Sequence, residues 1–219
     1  MKITAWETLV DRFGFAGGDN YTDSVPFVKV EDEIRQAVTA AVWPPGSDVF
    51  TIRPESGKRS GEGNGVKPIK HGFVRTLANL GWDLEKRVPR LSGAHGSAKG
   101  SGPGAFDCHR SFPGGVLEPF VVEWETGNIS SSHRAVNRIA LGILHGYISG
   151  GVLVVPSGEL AKYLTDRVGN APELHPYFDL WREWTLADTA YLGVVTVEHD
   201  ATSEDVARIP KGTDGRALV

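Results

Sequence analysis

Cysteine is almost absent from this 219-residue chain: Cys108 stands alone, which excludes an internal disulfide framework and any zinc site built from several cysteines. Long apolar runs are missing as well. No stretch approaches 18 continuous apolar residues, and no basic segment followed by an apolar core opens the chain. Neither a membrane span nor a signal peptide is therefore indicated, and a cytoplasmic location is expected. Nor is there an overall excess of positive charge, because 23 basic residues stand against 27 acidic ones, a formal net charge of −4. That balance argues against indiscriminate coating of nucleic acid. What is present, 40% hydrophobic residues over 219 positions, suits one well-buried domain spanning residues 1–219.

The charges are unevenly spread. Residues 53–110 carry eleven basic and five acidic residues, a net +6, which leaves −10 for the remainder. A face of that sign would neutralise phosphates and release counterions, so a nucleic-acid partner stays open despite the net charge.

Hydrophobic periodicity places most elements. Val30, Ile34, Val38 and Ala41 recur at helical spacing over 31–43 before Pro44-Pro45, and Ile69, Phe73, Leu77 and Leu80 do so over 67–80, with Gly81 at the end. Short strands are expected over 48–53 and 82–88, with polar Gly- and Ser-rich loops over 54–65 and 92–104. Strands follow over 105–111 and 116–125. Then Val136, Ile139, Ala140, Ile143, Leu144 and Tyr147 build a broad helical stripe, and the continuous apolar run Val152–Val155 reads as a strand buried on both faces. Strand, helix and strand form a βαβ unit, so part of the sheet is parallel. Helices over 157–168 and 173–184, a strand over 190–197 and a polar, loosely held last twenty residues complete the expectation. The first thirty residues show no clean period.

Chemistry concentrates in Phe106-Asp107-Cys108-His109-Arg110 and Pro119-Phe-Val-Val-Glu123-Trp124-Glu125. Alternation along a strand sets Glu123 and Glu125 on one face. If the two runs are neighbouring strands, Asp107 joins them, and three carboxylates so close require a proton or a cation between them. Mg²⁺ is the natural occupant, since it takes oxygen ligands. Asn128-Ile-Ser130-Ser131-Ser132-His133-Arg134 follows directly at an expected helix start, where backbone N–H groups and hydroxyls favour a phosphate. Arg138 lies four residues after Arg134 on the same helix face, open to DNA, a second subunit or solvent.

The pattern Asp107, Glu123-Trp124-Glu125 and the following run to Arg138 resembles the PD-(D/E)XK nuclease superfamily, and within it the restriction endonucleases of the BglII and BamHI type. The resemblance spans roughly residues 64–184. It implies an α/β fold with a central mixed sheet flanked by helices, and a homodimeric Mg²⁺-dependent type II restriction endonuclease, with Mn²⁺ able to substitute, acting on a palindrome in double-stranded DNA. It further implies Asp107, Glu123 and the Trp124 carbonyl as metal ligands. Glu125, where most of the superfamily has Lys, would orient or deprotonate the attacking water. His71 takes the place where many relatives carry a helical Glu; Glu33 is a possible substitute, and His109 a possible supporting residue. Lys58, Arg59, Lys67, Lys70 and Lys99 are candidates for backbone contact, and Arg53, Arg59, Arg87 and Arg90 for reading guanine edges. The rival readings are a catalytically inactive or modification-dependent DNA-binding protein of the same fold, and a glycosidase using a carboxylate pair.

Overall fold

A computed structural model of the chain describes residues 1–14, 20–56, 63–87, 104–115, 117–165 and 167–211. Lys58, Arg59, Arg90 and Lys99 lie outside the described residues. The strands are β1 (Lys2–Arg12), β2 (Thr51–Ile52), β3 (Asp83–Arg87), β4 (Ala105–Arg110), β5 (Phe120–Trp124), β6 (Gly150–Pro156), β7 (Ala190–Glu198) and β8 (Ala201–Thr202). The helices are α1 (Val25–Ala40), α2 (Lys67–Asn79), α3 (Ile129–Leu144), α4 (Gly158–Ala161), α5 (Ala171–Leu174) and α6 (Phe178–Arg182). Among the described residues no helix is long and apolar enough to cross a membrane.

Six strands form one mixed sheet in the order β1-β7-β6-β5-β4-β3. The central pairs β5/β6 and β6/β7 are parallel, whereas β1/β7, β4/β5 and β3/β4 are antiparallel. The βαβ unit read from the sequence is β5-α3-β6. Its strands are buried throughout because both faces are covered, and Glu123 is the one charged residue within them. On one face Phe27, Ile34 and Val38 of α1 and Ile69, Phe73 and Leu77 of α2 pack with Val122, Trp124, Val152 and Val154. On the other, Val136, Ile139 and Ile143 of α3 pack with Val121, Leu153, Val155 and Leu192. The chemistry therefore sits on a two-sided core.

Several boundaries differ from the sequence reading, each for a local reason. Helix α1 begins six residues early because the Ser24 side chain accepts from Phe27 N at 3.3 Å and caps it. The strand expected over 48–53 shrinks to β2, which pairs only with β8 in a separate parallel ribbon. After α4 the chain is drawn straight by a bridge between Asn64 and Leu164, and Arg167 adopts φ 70°, so the helix expected over 157–168 stops at one turn. The last residues are not all loose: Ile209 is fully buried, its N–H donates to Asn64 Oδ1 at 3.1 Å, and its carbonyl accepts from Gly65 N at 2.9 Å.

Candidate active site

The register Cys108↔Val122 and His109↔Val121, extended by one residue, sets Asp107 opposite Glu123 on adjacent antiparallel strands. The two acids are held differently. Asp107 Oδ2 accepts the Trp124 backbone N–H at 2.8 Å, and its Oδ1 accepts Lys70 Nζ from α2 at 2.6 Å. Glu123, only 4% exposed, accepts Arg138 Nη1 from α3 at 2.6 Å, and the same guanidinium donates to the Ala105 carbonyl. Burial, reinforced by the neighbouring Asp107 charge and only partly offset by Arg138, pushes the Glu123 carboxyl up to about 8. The acid pair is thus bracketed by one cation from each helical layer.

Glu125 does not complete a trio. Strand β5 ends at Trp124; Glu125 still donates its N–H to the Val154 carbonyl at 2.9 Å, but its Oε1 accepts Gly127 N at 2.6 Å. Among the described residues no three His, Cys, Asp or Glu side chains gather closely enough to hold a metal ion. The carboxylate is instead turned toward the start of α3. There the Asn128 side chain caps the helix by accepting Ser131 N at 3.1 Å. Asn128, Ser130 and Arg134 are exposed and Ser131 is half-buried. Ser132 is fully buried with no hydrogen-bond partner for its hydroxyl, and His133 meets the rings of Tyr177 and Trp181 edge-on at 4.4 and 5.6 Å. Those two side chains face the protein.

A family model described as restriction endonuclease BamHI matches residues 1–216. The chain belongs to the BamHI restriction endonuclease family. The type II restriction enzyme OkrAI of Oceanobacter kriegii is 43% identical over 218 residues, all of both chains. The type II restriction enzyme BamHI of Bacillus amyloliquefaciens is 35% identical over 186 residues, 84% of this chain and 80% of that one. Among solved structures, restriction endonuclease BglII complexed with a DNA 16-mer superposes with a TM-score of 0.56 at 10% identity, covering 95% of this chain and 88% of that one, a likeness of fold. The mixed α/β architecture implied by the sequence resemblance is the one found, and membership of the BamHI family makes the chain a DNA endonuclease, a hydrolase.

Within this BamHI-family scaffold the other candidates take distinct places. Lys67 is half-buried at the first position of α2; Lys70 lies one turn on, paired with Asp107; His71 is exposed beside it. Glu33 is not near the acids. It is buried, accepts the Trp82 indole N–H at 2.7 Å and Arg110 Nη2 at 3.1 Å, and so ties α1 to the end of β4. His109 is buried with its Nδ1 unbonded, 3.8 Å from Asp83, and burial followed by the Lys86 charge holds it below the usual imidazole range. Cys108 is fully buried, and burial together with the Asp107 charge pushes its thiol up, which keeps it protonated and inert. Arg53 is engaged with Glu55 at 2.7 Å and with the Glu204 carbonyl, whereas Arg87 is exposed at the end of β3. The sequence left Arg138 open to DNA, subunit or solvent; it is bonded to Glu123. Only its placement fifteen residues after Glu123, on the helix that returns across the sheet, hinted at that partner.

Proposed function

We propose that this chain is a Mg²⁺-dependent type II restriction endonuclease that hydrolyses phosphodiester bonds in double-stranded DNA at a short palindromic site, as a cytoplasmic homodimer. The observation that carries this reading is the opposed pair Asp107 and Glu123. Two carboxylates face each other at a largely buried position, each leaning on a cation borrowed from a different helix. An all-oxygen donor set of this kind suits Mg²⁺, with Mn²⁺ as a substitute. Asp107 and Glu123 would hold the ion, with the Trp124 carbonyl as a further donor. When bound, the ion supplies charge stabilisation to the phosphate and lowers the pKa of a water.

The remaining work falls to side chains already in position. Gly127 N–H fixes Glu125 Oε1, and Glu125 Oε2 accepts no hydrogen bond among the described residues, so that oxygen is open to orient the attacking water or take its proton. Exposed Asn128, Ser130 and Arg134, with half-buried Ser131, stand at the N-terminal end of a sixteen-residue helix and would receive a backbone phosphate. His71 and Lys67, on the helix that carries Lys70, would add contacts to the DNA backbone. Fully buried Ser132 and ring-packed His133 support the helix from behind. A two-fold assembly matches a palindrome because each protomer meets one half-site and cuts one strand. The names of the two relatives as type II restriction enzymes, and the solution of the BglII fold on a DNA 16-mer, support this assignment.

Digestion of a plasmid of known sequence with and without Mg²⁺, followed by sequencing of the ends, tests it. Discrete Mg²⁺-dependent ends at one repeated palindrome, absent for Glu123→Ala, are the expected result. Intact plasmid under all divalent-ion conditions, with DNA still retained on a gel, would leave only a binding protein.

A further inference from the structure

One feature of the acid pair is unlike the rest of the site: its two counter-charges are anchored with very different firmness. Arg138 is fixed by two bonds, to Glu123 and to the Ala105 carbonyl, and its side chain is 14% exposed. Lys70 makes one bond, to Asp107 Oδ1 at 2.6 Å, and its side chain is 33% exposed on a four-carbon stem. Asp107 Oδ2 is held by the Trp124 backbone N–H, whereas Oδ1 has only a side-chain partner, so Oδ1 is the oxygen an arriving ion can reach by displacing a side chain. The ammonium stands on that oxygen.

We propose that Lys70 is an internal counter-cation that occupies Asp107 while the metal is away and is displaced when a divalent ion arrives, so that Lys70 sets the ion affinity of the site. This rests on the metal-dependent reading above. A divalent ion on Oδ1 would put two cations against one carboxylate, and their repulsion is relieved most cheaply by the group with one bond and a solvated, flexible stem. Arg138 stays, because releasing it would leave Glu123 buried without a partner. Lys70 is therefore a positioning residue: it keeps Asp107 oriented and neutralised in the absence of metal, at the cost of competing with it.

Calorimetric titration of the full-length protein with Mn²⁺, without DNA and at fixed pH and ionic strength, tests the proposal. Lys70→Met is expected to bind Mn²⁺ about tenfold more tightly than the natural protein, the ratio that corresponds to one partly buried ion pair of about 1.4 kcal/mol. Lys70→Arg should retain weak binding. Arg75→Met removes the same charge from the exposed surface of α2, where no ion pair to Asp107 exists, and should change affinity less than twofold. A merely structural lysine would loosen the site when removed, not tighten it. Unchanged or weaker Mn²⁺ binding by Lys70→Met, while the natural protein binds Mn²⁺ and cleaves DNA, overturns the role of Lys70 alone. Absence of both Mn²⁺ binding and cleavage in the natural protein overturns the metal reading and this proposal with it. If Lys70→Met does not fold, a crystal of the natural protein soaked in Mn²⁺ decides: Nζ displaced from Asp107 supports the exchange, and Nζ still bonded to Oδ1 beside the ion overturns it.

Discussion

Arg138 Nη1 lies 2.6 Å from Glu123 Oε1 and spans the gap between α3 and the middle of the sheet, joining the helix capped by Asn128 to the acid on the strand before it. Neither partner is easily solvated, so each depends on the other.

Above about pH 8, where Glu123 is ionised, Arg138→Met should therefore lower unfolding free energy by about 3 kcal/mol, the scale for breaking a buried pair. The double variant Arg138→Met with Glu123→Gln should recover much of that loss, since no buried charge is left unpaired. Urea unfolding of the four proteins in the cycle measures the coupling; additive losses would show that the pair contributes nothing.

Glu33→Ala separates structure from catalysis. Removing a carboxylate that accepts from both Trp82 and Arg110 strands two buried donors, and a loss of about 2–4 kcal/mol is expected. Cleavage rate per folded molecule should stay within about twofold in stabilising buffer, because Glu33 lies away from the acids. A collapse of turnover with stability unchanged would return Glu33 to the active site.

Gly127 is tightly confined. An added Cβ would stand 2.7 Å from Glu125 Oε1 and 3.2 Å from Ser131 Oγ. Gly127→Ala should displace the Glu125 carboxylate, cutting cleavage about a hundredfold while DNA affinity in Ca²⁺ changes little. Full activity in this variant would mean that Glu125 need not be held.

Alkaline titration reports on the core. Tyr21 and Tyr191 are fully buried, with hydroxyls bonded to Ser149 at 2.7 Å and to Trp6 at 2.7 Å, and burial pushes both up to about 12. A phenol whose folded pKa lies above its ordinary value near 10 gives stability that is complete below about pH 10 and lost as pH climbs toward 12. Two of the five tyrosines should ionise only as the near-ultraviolet circular dichroism disappears. Ionisation of all five with that signal intact would contradict the burial.

Much of this architecture is legible in the residues because burial writes a simple pattern. The β5-α3-β6 unit is apolar wherever the sheet is covered twice, and the acids stand out against Phe120-Val-Val. Strand β1 carries no such pattern. It is an edge strand whose pairing with β7 slips between Ile3 and Ala5 and again between Thr8 and Val10, so its two-residue alternation is broken twice. Ser132 was legible in position but not in identity: it lies one turn before Val136 on the buried stripe of α3, yet a hydroxyl reads as surface. Glu125 stands apart from the acid pair because its Oε1 accepts Gly127 N just past the end of β5, a local contact that strand alternation does not encode. The partners of Lys70, Arg138 and Glu33 are long-range matches between helix and strand, which no spacing within a single segment can reveal.

The clasp formed by Asn64, Gly65 and Ile209 sits immediately ahead of the helix that carries Lys70. Trimming the chain before residue 209 would thus be felt more than a hundred positions upstream, as slack in the rod that aims an ammonium at Asp107. A tail that looks dispensable by its polarity is tied, through two hydrogen bonds, to the segment that leads into α2.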